Sequence, residues 1–274
     1  MMPILVTIGP LSLQAWGTMT AVAFLVAGVV VQRDLERKGE PAALAWSVIT
    51  HGIVGGLLGA RLLLLAHYWE DIPTQPELVV RMLVAGGGFV WYGGLAGGVL
   101  ATAFPIRRYG VPWASAADSA SLGIALGYGI GRIGCHLAGD GDWGTPTTLP
   151  WGVSYRHAVA GWPPPGLLPT VTVHPTPLYE FAASVLIFVV LWRLRARLRP
   201  AGAVFALYLV LAGVERVLIE LVRQQDGRPG PQVAGLNEAQ LTSLVLVAGA
   251  AAWLACRASI VPAGTLERGR AVPL

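Results

Sequence analysis

The chain has 274 residues, of which 54% are hydrophobic and only 12% charged, with a net charge of +4. Ordinary soluble domains carry roughly twice that share of charge, about 25%, so the composition excludes a conventional water-soluble globule. The small positive balance gives no reason to invoke nucleic acid. Cys135 and Cys256 are the only cysteines, and nothing flanks them at metal-ligand spacing, so neither a disulfide framework nor a zinc site is expected.

Apolar runs near the ~20 residues that a helix needs to cross a bilayer recur along the whole chain. The expected architecture is therefore an all-α polytopic membrane protein, one integral-membrane domain over residues 1–274. No Lys or Arg precedes the first apolar run, so the basic region of a cleaved signal peptide is lacking and the first helix is expected to stay. Predicted spans cover about 11–31, 44–66, 82–104, 113–138, 177–194, 203–222 and 241–255. The fourth contains Asp118 and several glycines, and the seventh is short.

Basic residues orient these seven spans. With the N-terminus outside, the inward loops hold Arg33, Arg37, Lys38, Arg107, Arg108, Arg193, Arg195, Arg197, Arg199, Arg257, Arg268 and Arg270, and the outward loops hold only Arg81, Arg156, Arg223 and Arg228. The positive-inside rule then selects N-out, C-in. The Pro- and Gly-rich stretch 139–176, between the fourth and fifth spans, becomes a long outward loop, and loops of that length are usually functional or flexible. Glycines four apart within the spans, such as Gly55 and Gly59 or Gly93 and Gly97, read as close helix packing. No internal repeat is apparent, which weakens a transporter reading.

Three arginines fall inside spans: Arg61, Arg132 and Arg216, each five or six residues before the predicted outer end of its helix. At 1.5 Å per residue they share a depth roughly 8–9 Å below the outer surface. His174, Tyr179 and Glu180 enter the fifth span near the same level, and Glu220 follows Arg216 by one turn. Each has a simpler reading: Arg61 snorkels, Arg216 and Glu220 neutralise one another, Asp118 starts or packs a helix, His51 and His67 are structural, and Trp69, Trp113 and Trp162 are belt residues. Ionisable groups at membrane depth cost on the order of 2.5 kcal/mol or more unless paired or facing a wet cavity. Their convergence points to a polar cavity open to the outer leaflet, where guanidinium forks suit a phosphate headgroup.

The stretch "GRIGCHLAGDGDWG" resembles the signature of the bacterial prolipoprotein diacylglyceryl transferases. "GARLLLLAHYW", "GGGFVWYGGLAGG", "PTTLPWGVSY", "VHPTPLYE" and "ERVLIELVRQQDG" follow the family's order over roughly residues 11–228. The resemblance implies a multi-pass protein of the bacterial inner membrane that moves a diacylglyceryl group from phosphatidylglycerol to the lipobox cysteine of a preprolipoprotein. Its partners would be that lipid, the signal peptide and the surrounding bilayer, with no cofactor. It also assigns phosphate handling to Arg132 and Arg216, an acidic partner role to Glu220, and substrate positioning to Gly144, Tyr179 and Glu180.

Four departures stand out. The family's His-Gly-Gly, whose His has been proposed as a base for the thiol, is here Tyr92, Gly93 and Gly94; its signature Asn is Cys135, its second Asn is Ala138, and the Tyr of the first helix is Trp16. A phenol of pKa ~10 is a weak base. His136, one turn after Arg132, or His174 is then the alternative acceptor for the thiol proton, beside the plainer reading of His136 as a polar helix end. Asp140 and Asp142 read as solvated loop acids. Two rival functions follow: a divergent homologue with another acceptor, and a non-catalytic lipid-binding or transport protein.

Overall fold

The computed structural model describes residues 1–9, 11–70, 72–74, 77, 80, 90–164, 166–224 and 235–260. Arg81, Arg228, Arg268, Arg270 and most of the stretch expected to open the third span lie outside the described residues. Seven long helices are found among those described: α1 (Ala15–Lys38), α2 (Ala43–His67), α3 (Trp91–Tyr109), α4 (Trp113–Ala138), α5 (Thr176–Leu194), α6 (Ala203–Glu220) and α7 (Glu238–Arg257). Of these, α1, α2, α5 and α7 are long and apolar enough to cross a membrane by length and composition.

The first span is corrected at both ends. Residues 11–14, expected to open it, form β2 (Leu11–Gln14), which pairs in a hairpin with β1 (Ile4–Ile8), and the helix then runs on through Arg33, Arg37 and Lys38. Arg37 and Lys38 sit in its last turn, where cations favour the carbonyl end of the helix dipole, and both pair with the buried Asp34 at 2.9 and 3.1 Å. Likewise Arg107 and Arg108 close α3, and Arg193 closes α5. These charges belong to helix ends rather than loops.

The chain divides into two compact units, one of Val31–Ala116 and one of Met1–Val30 together with the chain from Ala117. In the smaller unit α2 and α3 approach until Cβ atoms would not fit. A Cβ on Gly59 would strike the backbone of Gly93 and Gly97, and one on Gly55 would strike Gly97 and Ala101. Gly93 is buried in this seam, and a Cβ added to Gly94 would meet the carbonyl of Gly56 at 3.5 Å, so the packing reading of the glycines holds here. Gly59→Ala is expected to cost about 1–3 kcal/mol through overpacking, read as a lower thermal midpoint in detergent, and an unchanged midpoint would show that the helices part without loss.

In the larger unit Leu122 and Ala125 of α4 pack with Ile187 and Leu191 of α5 and Val204 of α6. Asp118 takes the helix-start role that its position suggested, but for a different helix: its carboxylate accepts the backbone N–H groups of Gly202 and Phe205, both at 2.8 Å, at the start of α6. At α7 a capping box joins Asn237 and Gln240. Two short strands, β3 (Leu198–Arg199) and β4 (Ser259–Ile260), pair after α5 and α7.

Candidate functional site

The loop after α4 is well tied down for a segment rich in Pro and Gly. Backbone bridges join Gly144 to Arg223, and Val173 to both Pro146 and Val153. Trp143, Tyr155 and Val173 form a small buried core, with Trp162 edge-on to Trp143 at 5.4 Å between ring centroids. This strip fixes Asp142 immediately before Trp143 and draws Arg223 against it.

The result is an ion network. Arg132 from α4 pairs with Asp142 in a very short contact and lies 3.2 Å from Glu180 Oε1 of α5. Arg216 from α6 lies 2.6 Å from Glu220 and 3.7 Å from the same Glu180 oxygen. Arg223 reaches Asp142 at 2.8 Å, Glu180 at 2.7 Å and Glu220 at 3.4 Å. Tyr128, one turn before Arg132, donates its hydroxyl to Glu180 at 2.6 Å, and Asn237 donates its amide to Glu220 at 2.7 Å. The Thr176 hydroxyl donates to the Asp142 carbonyl. Three guanidinium groups and three carboxylates thus interlock, which is how buried charge becomes tolerable: each ion has at least one partner of opposite charge within 4 Å.

The structure joins Arg132, Arg216, Glu180 and Glu220, four of the intraspan charges expected to converge, but not Arg61. Two members were misread. Arg223, counted as an outward loop cation, is 2% exposed, and Asp142, read as a solvated acid, bridges two arginines. The signal for Arg223 was present, since Arg216, Glu220 and Arg223 recur at helical spacing. Arg61, Tyr92, Gly93 and Gly94 belong to the smaller unit, where Arg61 is half-buried and Tyr92 exposed.

His136 and His174 each have a tyrosine partner. His136 Nδ1 lies 3.0 Å from the hydroxyl of Tyr155. Tyr155 is 1% exposed, and burial holds its phenol well above the usual range, so the hydroxyl keeps its proton. The contact ties the end of α4 to the loop. His174 Nδ1 meets the Tyr179 hydroxyl at 3.2 Å, and Trp151 donates to that same hydroxyl at 2.8 Å.

Gly144 is held between three neighbours. A Cβ there would come within 2.5 Å of the Val222 carbonyl, 2.7 Å of His174 Cβ and 2.9 Å of Thr176. Gly144→Ala must part the loop from the Arg223 strip, so any activity that depends on the arginines is expected to fall at least about tenfold, as misplacement by ~1 Å can cost 100-fold; wild-type activity would show that the strip yields without disturbing the arginines.

Cys135 Sγ and carboxylate oxygens of Asp140 and Asp142 lie within 4.8 Å of one another. Asp142 already gives an oxygen to each of two arginines, and Arg132 stands 3.9 Å from the sulfur, so a cation would have to displace two guanidinium groups. The donor set does not suit one.

Comparison with known proteins supplies the remaining observation. The model of the family described as prolipoprotein diacylglyceryl transferase matches residues 3–256. The chain is 31% identical over 248 residues to the phosphatidylglycerol–prolipoprotein diacylglyceryl transferase of Clostridium tetani, covering 90% of this chain and 94% of the relative. It is 33% identical over 262 residues to the protein of the same description from Coxiella burnetii, covering 93% and 95%, and 30% identical over 250 residues to that of Nitrosospira multiformis, covering 89% and 82%.

Proposed function

The chain belongs to the prolipoprotein diacylglyceryl transferase family, and from that premise we propose that the network around Glu180 holds the phosphate of phosphatidylglycerol while the lipid's diacylglyceryl group passes to a lipobox cysteine. The chain is a transferase of that description, and its reaction is a displacement at carbon. The sulfur of the acceptor cysteine attacks the glycerol carbon that bears the phosphate, the C–O bond breaks, and glycerol phosphate leaves.

The observation that carries the site assignment is the exposure of the three arginines. The side chains of Arg132 and Arg216 keep 14% and 26% of their surface open, whereas that of Arg223 keeps 1%. The two arginines can therefore present N–H groups to a ligand without leaving Glu180, while Arg223 serves to hold the carboxylates. Preorganised donors of this kind stabilise charge that grows on a departing oxygen. Asp142, a quarter exposed and set on a loop, is the carboxylate that the phosphate can most readily replace at Arg132. Tyr179 and His174, linked through one hydroxyl, are assigned to positioning the acceptor peptide, with Gly144 fixing the loop beside them.

The proposed setting is the bacterial inner membrane, with seven spans, N-out and C-in, and this network toward the outer face. The four long apolar helices and the excess of basic residues on the inward side support it.

The test incubates purified protein with labelled phosphatidylglycerol and a lipobox peptide, beside a peptide whose cysteine is replaced by serine. Thioether product with the first peptide alone is expected. Binding of the lipid without product under conditions where a relative turns over would favour the carrier reading.

A further inference from the structure

The guanidinium of Arg132 is held on one side by Tyr128. The two residues stand four apart on α4, so they share a face of the helix. Arg132 Cζ lies over the Tyr128 ring, 4.8 Å from its centroid, within the range of a cation–π contact. The Tyr128 hydroxyl lies 2.7 Å from Arg132 Nη2 and 2.6 Å from Glu180 Oε1. A guanidinium only donates and a carboxylate only accepts, which fixes the order of protons: Nη2 donates to the phenol oxygen, and the phenol donates to Glu180.

The two terminal nitrogens of Arg132 therefore differ in their surroundings. Nη2 faces the phenol oxygen and, at 3.2 Å, Glu180 Oε1, both set on helices. Nη1 faces Asp142, the loop carboxylate assigned above to give way to the phosphate, and lies 3.9 Å from Cys135 Sγ. Tied at Nη2 and held against a ring, the guanidinium is kept from turning, and Nη1 is the corner left to exchange partners. Tyr128 is 36% exposed, so filling a core does not account for it.

We propose that Tyr128 is a positioning residue for the transfer: it holds Arg132 so that Nη1 meets the phosphate in line with the C–O bond that breaks. This rests on the transfer reading above. Tyr128 gives no proton to the substrate in this role; it acts through Arg132.

The experiment measures kcat and KM for phosphatidylglycerol with a lipobox peptide, per mole of folded protein, for Tyr128→Phe in the wild-type and Arg132→Lys backgrounds. Losing an oriented contact at a reacting group costs roughly tenfold or more. Tyr128→Phe should lower kcat by at least that factor with KM within about threefold of wild type, because the charges that attract the phosphate are unchanged. In the Arg132→Lys background the same substitution should change kcat less than about twofold, since the fork it orients is gone. A smaller kcat loss in the wild-type background, a larger shift in KM, or a loss of similar factor in both backgrounds overturns the assignment; the last is what a merely structural role gives. If Tyr128→Phe does not fold, Tyr128→His takes its place in the same cycle, where a loss confined to the Arg132 background supports the role and an equal loss in both, or none, removes it. A wild type that binds lipid and makes no thioether removes the transfer reading itself, an outcome distinct from active wild type indifferent to Tyr128.

Discussion

Arg132→Lys should lower thioether formation by at least about 100-fold, the scale seen when a preorganised donor to a developing oxyanion is lost, while the protein still folds. The reason lies in geometry rather than charge. Arg132 reaches Asp142 through Nη1, and through Nη2 it both reaches Glu180 and donates to the Tyr128 hydroxyl at 2.7 Å, while some surface stays open to a ligand. Lysine offers one ammonium on a flexible stem, enough to neutralise one carboxylate but unable to hold both and a phosphate. Arg132→Ala should do worse in a second respect. It leaves Asp142 and Glu180 short of a counter-ion in a buried site, which costs about 3–5 kcal/mol, so its thermal midpoint should fall together with its activity. The two variants separate chemistry from folding: Lys loses turnover with most stability kept, Ala loses both. An Arg132→Lys enzyme within about threefold of wild type would mean that the phosphate binds elsewhere.

What the sequence revealed and concealed follows from the range of its signals. The helices were legible because long apolar runs must be helical in lipid, where every backbone group has to be satisfied within the segment. The fourth span, 113–138, coincides with α4, and the last three shift by only a few residues. The start of α1 was hidden because Ile4–Gln14 is as apolar as a span, and a hydropathy window does not register a strand's alternation. Its end was hidden because Arg37 and Lys38 look like loop residues, although the helix dipole and Asp34 hold them in the last turn.

At the site, charges inside spans announced themselves by their cost, so Arg132, Arg216, Glu180 and Glu220 were found. Arg223 and Asp142 sit just beyond helix ends, where a charge costs nothing, and their pairing spans 81 residues of sequence. Only the bridge between Gly144 and Arg223 brings them inside. Tyr128 escaped because a tyrosine in an apolar helix reads as packing.

The second large effect is expected at Glu180, which is 0% exposed. One oxygen, Oε1, accepts the Tyr128 hydroxyl at 2.6 Å and lies 2.7, 3.2 and 3.7 Å from Arg223, Arg132 and Arg216. Glu180→Gln preserves size and one acceptor oxygen but removes the charge on which all three guanidinium groups converge, leaving buried cations in excess. Breaking such a pair costs about 3–5 kcal/mol, and at roughly 2–4 °C per kcal/mol for a chain of this size the thermal midpoint in detergent should drop on the order of 10 °C. Activity should fall as well, because Glu180 is the group that keeps Arg132 and Arg216 together. A double-mutant cycle with Tyr128→Phe makes the point specific. If the hydroxyl stabilises the fold chiefly through the charged oxygen, its removal costs much less in the Glu180→Gln background, with a coupling of about 0.5–3 kcal/mol. Strict additivity, or a Glu180→Gln midpoint equal to wild type, would mean that the three arginines are held by Asp142 and Glu220 alone and that the network has no centre.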